Sequence, residues 1–135
     1  MNTNSKETKK IVWSWGPGEL EGQHSPRMLD DGNILIYDNG FNRGYTRVIE
    51  LDPIKKEIVW EYKANPPQLF FSQSQGYAQR LLNGNTLITD SENSRAFEVT
   101  KGGKIVWEWF NPGIDEEGKR GTVYRMVRYP KDKID

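Results

Sequence analysis

Short apolar runs separated by clusters of Gly, Pro, Asn and Asp extend from about residue 10 to residue 130. The runs are rich in β-branched and aromatic residues and bounded by turn formers, the signature of short strands. No window of comparable strength has a 3.6-residue period, so helices longer than a single turn are not predicted. The pattern predicts four strands over Gln23–Leu29, Asn33–Tyr37, Arg47–Leu51 and Glu57–Tyr62. Four more are predicted over Gly76–Leu82, Asn85–Thr89, Arg95–Thr100 and Lys104–Phe110. Asp31-Gly32 and Asn83-Gly84 are tight hairpin signals between the first two strands of each set. Asp52-Pro53 and Lys101-Gly102-Gly103 turn the third strand into the fourth.

The two sets are copies of one unit. Ile11-Val12-Trp13-Ser14-Trp15, Ile58-Val59-Trp60-Glu61-Tyr62 and Ile105-Val106-Trp107-Glu108-Trp109 recur with a spacing of 47 residues. Gly32–Asp38 matches Gly84–Asp90, and Thr46–Leu51 matches Ser94–Val99. Four antiparallel strands in a repeat of about 40–50 residues form the blade of a β-propeller. Lys10–Trp15 then reads as an outer strand with no blade before it, and Thr122–Tyr129 as an inner strand with little after it. The expected fold is therefore all-β: a partial β-propeller over 10–130, with blade units at about 23–62 and 76–110, an inner strand at 122–129 and an unpaired strand at each end. Polar tails are expected over 1–9 and 131–135. A propeller closes with about four blades or more. The chain is thus expected to be a piece of a longer propeller, or to pair with copies of itself through its open strand edges.

Composition narrows the chemistry. The chain has 135 residues, 19 basic against 19 acidic, no Cys and one His. Zero net charge with no basic block argues against nucleic acid as a partner. Without Cys there is no disulfide scaffold, no thiolate zinc site and no thiol nucleophile. No acidic cluster has convincing calcium-ligand spacing, and neither a metal nor another cofactor is expected. No apolar run is long enough to span a membrane, and the first ten residues lack the apolar core of a secretory signal. Only 35% of residues are hydrophobic, yet 12% are aromatic and five are Trp. Bulky anchors thus replace a broad aliphatic core, and Trp13, Trp60 and Trp107, at one strand position, read as buried packing anchors.

The long Gly-, Pro- and Asn-rich segments 16–22, 63–75 and 111–121, together with 38–45, all fall on one face of such blades. His24 enters the first strand from that face, beside Asp38-Asn39-Gly40 and Arg43. Arg27, Arg80 and Arg125 recur near similar points of the inner strands. One reading is a cationic mouth that receives an anion next to a nucleophilic imidazole, with His24 catalytic and Arg27, Asn39 and Arg43 binding substrate. The other makes Arg27, Arg80 and Arg125 ion pairs between blades. Ser72 and Ser74 have no base near them in sequence, Asp30-Asp31 is hairpin chemistry, and the glycines open no helix as a phosphate loop would.

Gly22-Gln23-His24, the run Asp31–Gly40, Arg47–Pro53 and Ile58–Tyr62 resemble the arylsulfate sulfotransferases, as do Ala78–Asp90 and Val123–Pro130 of that family's C-terminal region. The resemblance implies a six-bladed propeller that moves a sulfuryl group from a phenolic sulfate to a phenol, with no nucleotide donor. It also implies a histidine that carries the group transiently, at the position of His24, and an aryl sulfate or phenol as ligand. Relatives are often periplasmic. The family's other catalytic histidines and its arginine belong to earlier blades, so the isolated chain is expected to be weak or inactive. The alternative is a non-catalytic module that self-assembles into a homo-oligomer or filament.

Overall fold

Central strands that are apolar on both faces must be covered on both faces. Ile34–Asp38 and Arg47–Asp52 are such strands, and they organise the first half of the molecule. A computed structural model describes residues 9–133, so the tail expected over 1–9 lies outside the described residues apart from Lys9, as do residues 134–135. The first sheet contains β1 (His24–Met28), β2 (Ile34–Asp38), β3 (Arg47–Asp52) and β4 (Glu57–Tyr62). The second contains β5 (Tyr77–Arg80), β6 (Thr86–Asp90), β7 (Arg95–Val99) and β8 (Ile105–Phe110). Each sheet is antiparallel with its strands in sequence order, joined by the short turns that the Gly and Asp signals predict. The only helical pieces among the described residues are two single 3-10 turns, Pro67–Leu69 and Lys131–Lys133.

Period-two alternation sends Leu35, Tyr37 and Val48 to one face of the first sheet, where they meet Ala78, Ile88, Phe97 and Val99 of the second. Phe70, from the loop between the sheets, fills the centre of that layer. Ile36, Ile49 and Leu51 face the other way and are covered by Trp15 and Leu20.

The two expected end strands find no strand partner among the described residues of the chain. Residues 10–15 and 122–129 carry no ladder. A strand is defined by its hydrogen-bonded neighbour, and these segments contact the sheets mainly through side chains. Met126 N donates to Thr89 Oγ1 at 2.9 Å, Arg128 N donates to Gln79 Oε1 at 2.8 Å, and Gln79 Nε2 donates back to the Arg128 carbonyl at 2.9 Å.

The repeated tryptophans are also not buried. Trp13 is 42% and Trp107 37% exposed, and Trp60 is half-buried. Trp13 and Trp60 act as latches at the rim. Trp13 Nε1 donates to the Pro53 carbonyl at 2.9 Å, and Trp60 Nε1 donates to the Lys101 carbonyl at 2.8 Å. Each indole thus grips the third-to-fourth-strand turn of the next sheet. Trp60→Phe keeps the ring and removes the donor, so urea denaturation is expected to show a loss of about 1 kcal/mol. A loss above about 3 kcal/mol would return Trp60 to the core.

Arg80 resolves towards the inter-sheet pair: its Nη1 lies 2.9 Å from Glu50 Oε1 of β3, with the guanidinium 5.0 Å from the Trp60 ring centre. Arg128 repeats this with Glu98 and Trp107. Burial raises the Glu98 carboxyl, but hydrogen bonds from Asn85 and Arg128 outweigh it and hold the group below its ordinary pKa.

Candidate functional site

β2 ends at Asp38 and Asn39 follows it, both fully buried, where the sheet gives way to the long loops. Asp38 closes a clip. Its Oδ2 accepts from Arg47 Nε at 2.8 Å and Arg43 Nη2 at 3.1 Å, while Oδ1 accepts from the Glu21 backbone N–H at 2.8 Å. Glu21 in turn receives the N–H groups of Asn42 and Arg43 on its Oε2. The second sheet repeats the clip with Asp90 and Arg95 at 2.8 Å. There burial outweighs the arginine and raises the Asp90 carboxyl.

These braces leave Asn39 beside the imidazole. His24 Nδ1 lies 2.7 Å from Asn39 Oδ1. Asn39 Nδ2 donates to the carbonyls of Ser72 and Gln75, each at 2.8 Å. Three chain segments therefore fix one half-buried ring. A cavity of about 260 Å³ opens on it, lined by His24, Ser25, Gly76, Tyr77, Tyr124 and Arg125 among others. Larger cavities of about 380 and 560 Å³ lie at the hairpin end, and neither touches His24.

The backbone around the ring is unusual. Ser25 has φ 51° and Gln75 φ 59°, a region that non-glycine residues avoid, and Gly76 has φ 119°. The Ser25 hydroxyl donates to the Gly76 carbonyl at 3.1 Å, tying the two kinks together. Strain of this kind concentrates at functional sites. The Tyr37 ring passes beneath Gly76, and burial pushes its hydroxyl well above the ordinary tyrosine pKa.

The structure brings two of the four expected site residues together and separates the others. His24 and Asn39 are in contact, with Asn39 fully buried against the ring. Arg43 is committed to Asp38 and stacks on Tyr45, with 4.8 Å from its guanidinium to the ring centre. Arg27 lies over the Tyr77 ring at 5.3 Å, and Arg125 lies over the same ring at 5.2 Å. Both are solvent-exposed and appear in no salt bridge among the described residues. Tyr77 and Tyr124 were not legible as site residues, because nothing in their local sequence separates a cavity wall from a packing aromatic. Among the described residues no group of three or more His, Cys, Asp or Glu side chains is placed to hold a metal ion. No helix among them is long and apolar enough to cross a membrane.

A family model described as arylsulfotransferase (ASST) matches residues 4–112. No curated protein matches the chain. Among solved structures, the chain is similar to a protein of unknown function from Bacteroides caccae, with 18% identity and a TM-score of 0.47. That likeness covers 71% of this chain and 36% of the other, so the chain spans well under half of that protein's length.

Proposed function

Because this chain belongs to the arylsulfotransferase family, we propose that it contributes the sulfuryl-carrying histidine, His24, to nucleotide-independent transfer between phenols. The observation that carries the reading is the 2.7 Å contact that holds the sole imidazole of the chain, half-buried, at the edge of a cavity that also borders Arg125. In this reading the two sheets are consecutive blades of a propeller within residues 10–130, and the loop end of the sheets is the substrate face.

The free nitrogen of His24 attacks the sulfur of an aryl sulfate. A nitrogen–sulfur bond forms, the aryl oxygen–sulfur bond breaks, and the phenolate leaves with the electron pair. An acceptor phenol then attacks the same sulfur, the pair returns to nitrogen, and the acceptor's proton ends on the released phenolate. Arg27 and Arg125, both against Tyr77, supply positive charge for the sulfuryl oxygens. Arg43 braces the loop through Asp38.

Incubation of the full chain with a chromogenic aryl sulfate is expected to place one sulfuryl group on His24, with slow turnover. His24→Asn is expected to abolish both, read by intact mass and phenol release. Turnover that persists in His24→Asn would discard His24 as the carrier.

A second reading is favoured by a different observation. Ile105, Val106, Trp107 and Phe110 of β8 are 42%, 48%, 37% and 48% exposed, an apolar outer strand that invites association with a further copy. Sedimentation separates the two: a concentration-dependent oligomer without phenol release supports the non-catalytic module.

A further inference from the structure

We infer that Asn39 is a positioning residue that locks His24 in the tautomer protonated at Nδ1, leaving Nε2 as the bare nitrogen. The argument is one of donors and acceptors. Asn39 is fully buried, and one end of its amide lies 2.8 Å from each of two backbone carbonyls, those of Ser72 and Gln75. A carbonyl can only accept, so the NH₂ must face that pair and Oδ1 must face the other way. Oδ1 lies 2.7 Å from His24 Nδ1. Two acceptors at that distance repel, so Nδ1 carries the hydrogen. Reversing the amide would set its oxygen 2.8 Å from two carbonyl oxygens inside the protein, acceptor against acceptor, and would take from the Gln75 carbonyl the donor it has in Asn39. The ring's proton is thus placed by carbonyls far from it in the chain.

The repeat supplies an independent comparison. Asp38-Asn39 corresponds to Asp90-Ser91, and the Asp–Arg clip is kept in both sheets. Ser91 instead donates its hydroxyl to the Tyr124 carbonyl at 3.3 Å. The amide therefore stands only in the unit that has the imidazole, as a ring-orienting role requires and a general turn role does not.

The consequence for transfer rests on the carrier reading, whereas the tautomer does not. The Nε2 lone pair forms the bond to sulfur as the aryl oxygen departs with its own pair. The ring becomes cationic, and Nδ1–H keeps its bond to Asn39 Oδ1. When the acceptor oxygen attacks, the nitrogen–sulfur pair returns to Nε2. No proton on His24 moves in either half-reaction.

The test reads both nitrogens of the single imidazole in the isotope-labelled full chain by long-range proton–nitrogen spectroscopy, at about pH 9, where an ordinary imidazole is neutral. The expected result is a protonated Nδ1 and a bare Nε2; a protonated Nε2 overturns the inference. Asn39→Leu removes the acceptor and is expected to shift the ring to the Nε2-protonated form. Asn39→Asp keeps an acceptor oxygen and is expected to keep the Nδ1 proton. An unchanged tautomer in Asn39→Leu also overturns the inference. The spectrum of the unaltered chain decides the matter even where neither variant folds. In phenol release, kcat of Asn39→Leu is expected to fall by about 100-fold or more with KM within about threefold, and Asn39→Asp to recover part of it. An Nδ1-protonated chain that never takes a sulfuryl group keeps this inference and loses the carrier reading. Sulfuryl-His24 on an Nε2-protonated chain does the reverse.

Discussion

Phe70→Ala is expected to remove about 3–5 kcal/mol of stability, the usual cost of truncating a fully buried phenylalanine. The ring has no solvent exposure and stands edge-on to Tyr37 at 5.8 Å and to Phe97 at 5.4 Å between centres, with Tyr62 at 6.1 Å. It joins aromatic side chains of both sheets, so its loss opens a void between them. The damage should extend to the site. Phe70 lies in the loop that also supplies the Ser72 and Gln75 carbonyls to Asn39, and its own carbonyl accepts from Thr46 N at 2.8 Å. Small domains have about 5–15 kcal/mol in total, so the variant should melt far below the parent in urea or heat. A midpoint shift worth under about 1 kcal/mol, the range of surface changes, would place the ring at the surface instead.

Gly76→Ala is the second large effect. A Cβ there would run into Tyr37 Cε1 and Cζ, at a backbone φ of +119°. Tyr37 is wholly buried between the sheets and has no room to retreat. Overpacking of about 1–3 kcal/mol and left-handed strain of about 1–3 kcal/mol together predict a loss of about 2–6 kcal/mol. Gly84→Ala is the internal control, because Gly84 has φ +86° and nothing within 4 Å of the added carbon. It should cost only the backbone strain. Equal losses in the two variants, measured by denaturation, would show that the Tyr37 contact carries no weight. Gly76 also adjoins Tyr77 and borders the cavity at His24, so under the proposed carrier function a variant that still folds is expected to take a sulfuryl group from an aryl sulfate more slowly than the parent.

The strands and turns were legible because their causes are local. Alternation over five or six residues decides which face of β2 or β3 is buried, and Asp31-Gly32 or Asn83-Gly84 closes a hairpin wherever it occurs. At the ends the same local logic reaches composition and no further. Ile11–Trp15 has the composition of β4 and β8, but a ladder needs a run of backbone bonds to a neighbouring strand. None forms along this segment or along 122–129 among the described residues, where Val123 N makes a single bond to the Ser91 carbonyl at 3.3 Å. The tryptophans were misplaced for a related reason. Their recurrence is visible in one dimension, whereas the carbonyls of Pro53 and Lys101 that their indoles reach lie 40 and 41 residues away.

By itself the sequence determined the all-β class, the repeat, the position of every strand between residues 23 and 110, and His24 as the sole imidazole. Tertiary structure alone decided what surrounds that imidazole. Asn39 meets it across 15 residues and is held by carbonyls 33 and 36 residues away, while Arg80 turns to Glu50 across 30 and Arg43 to Asp38 across five. Local pattern reports which face of a strand seeks burial. Which donor meets which acceptor depends on how two sheets and their loops pack, because a hydrogen bond forms only at close range between groups the chain has first to bring together.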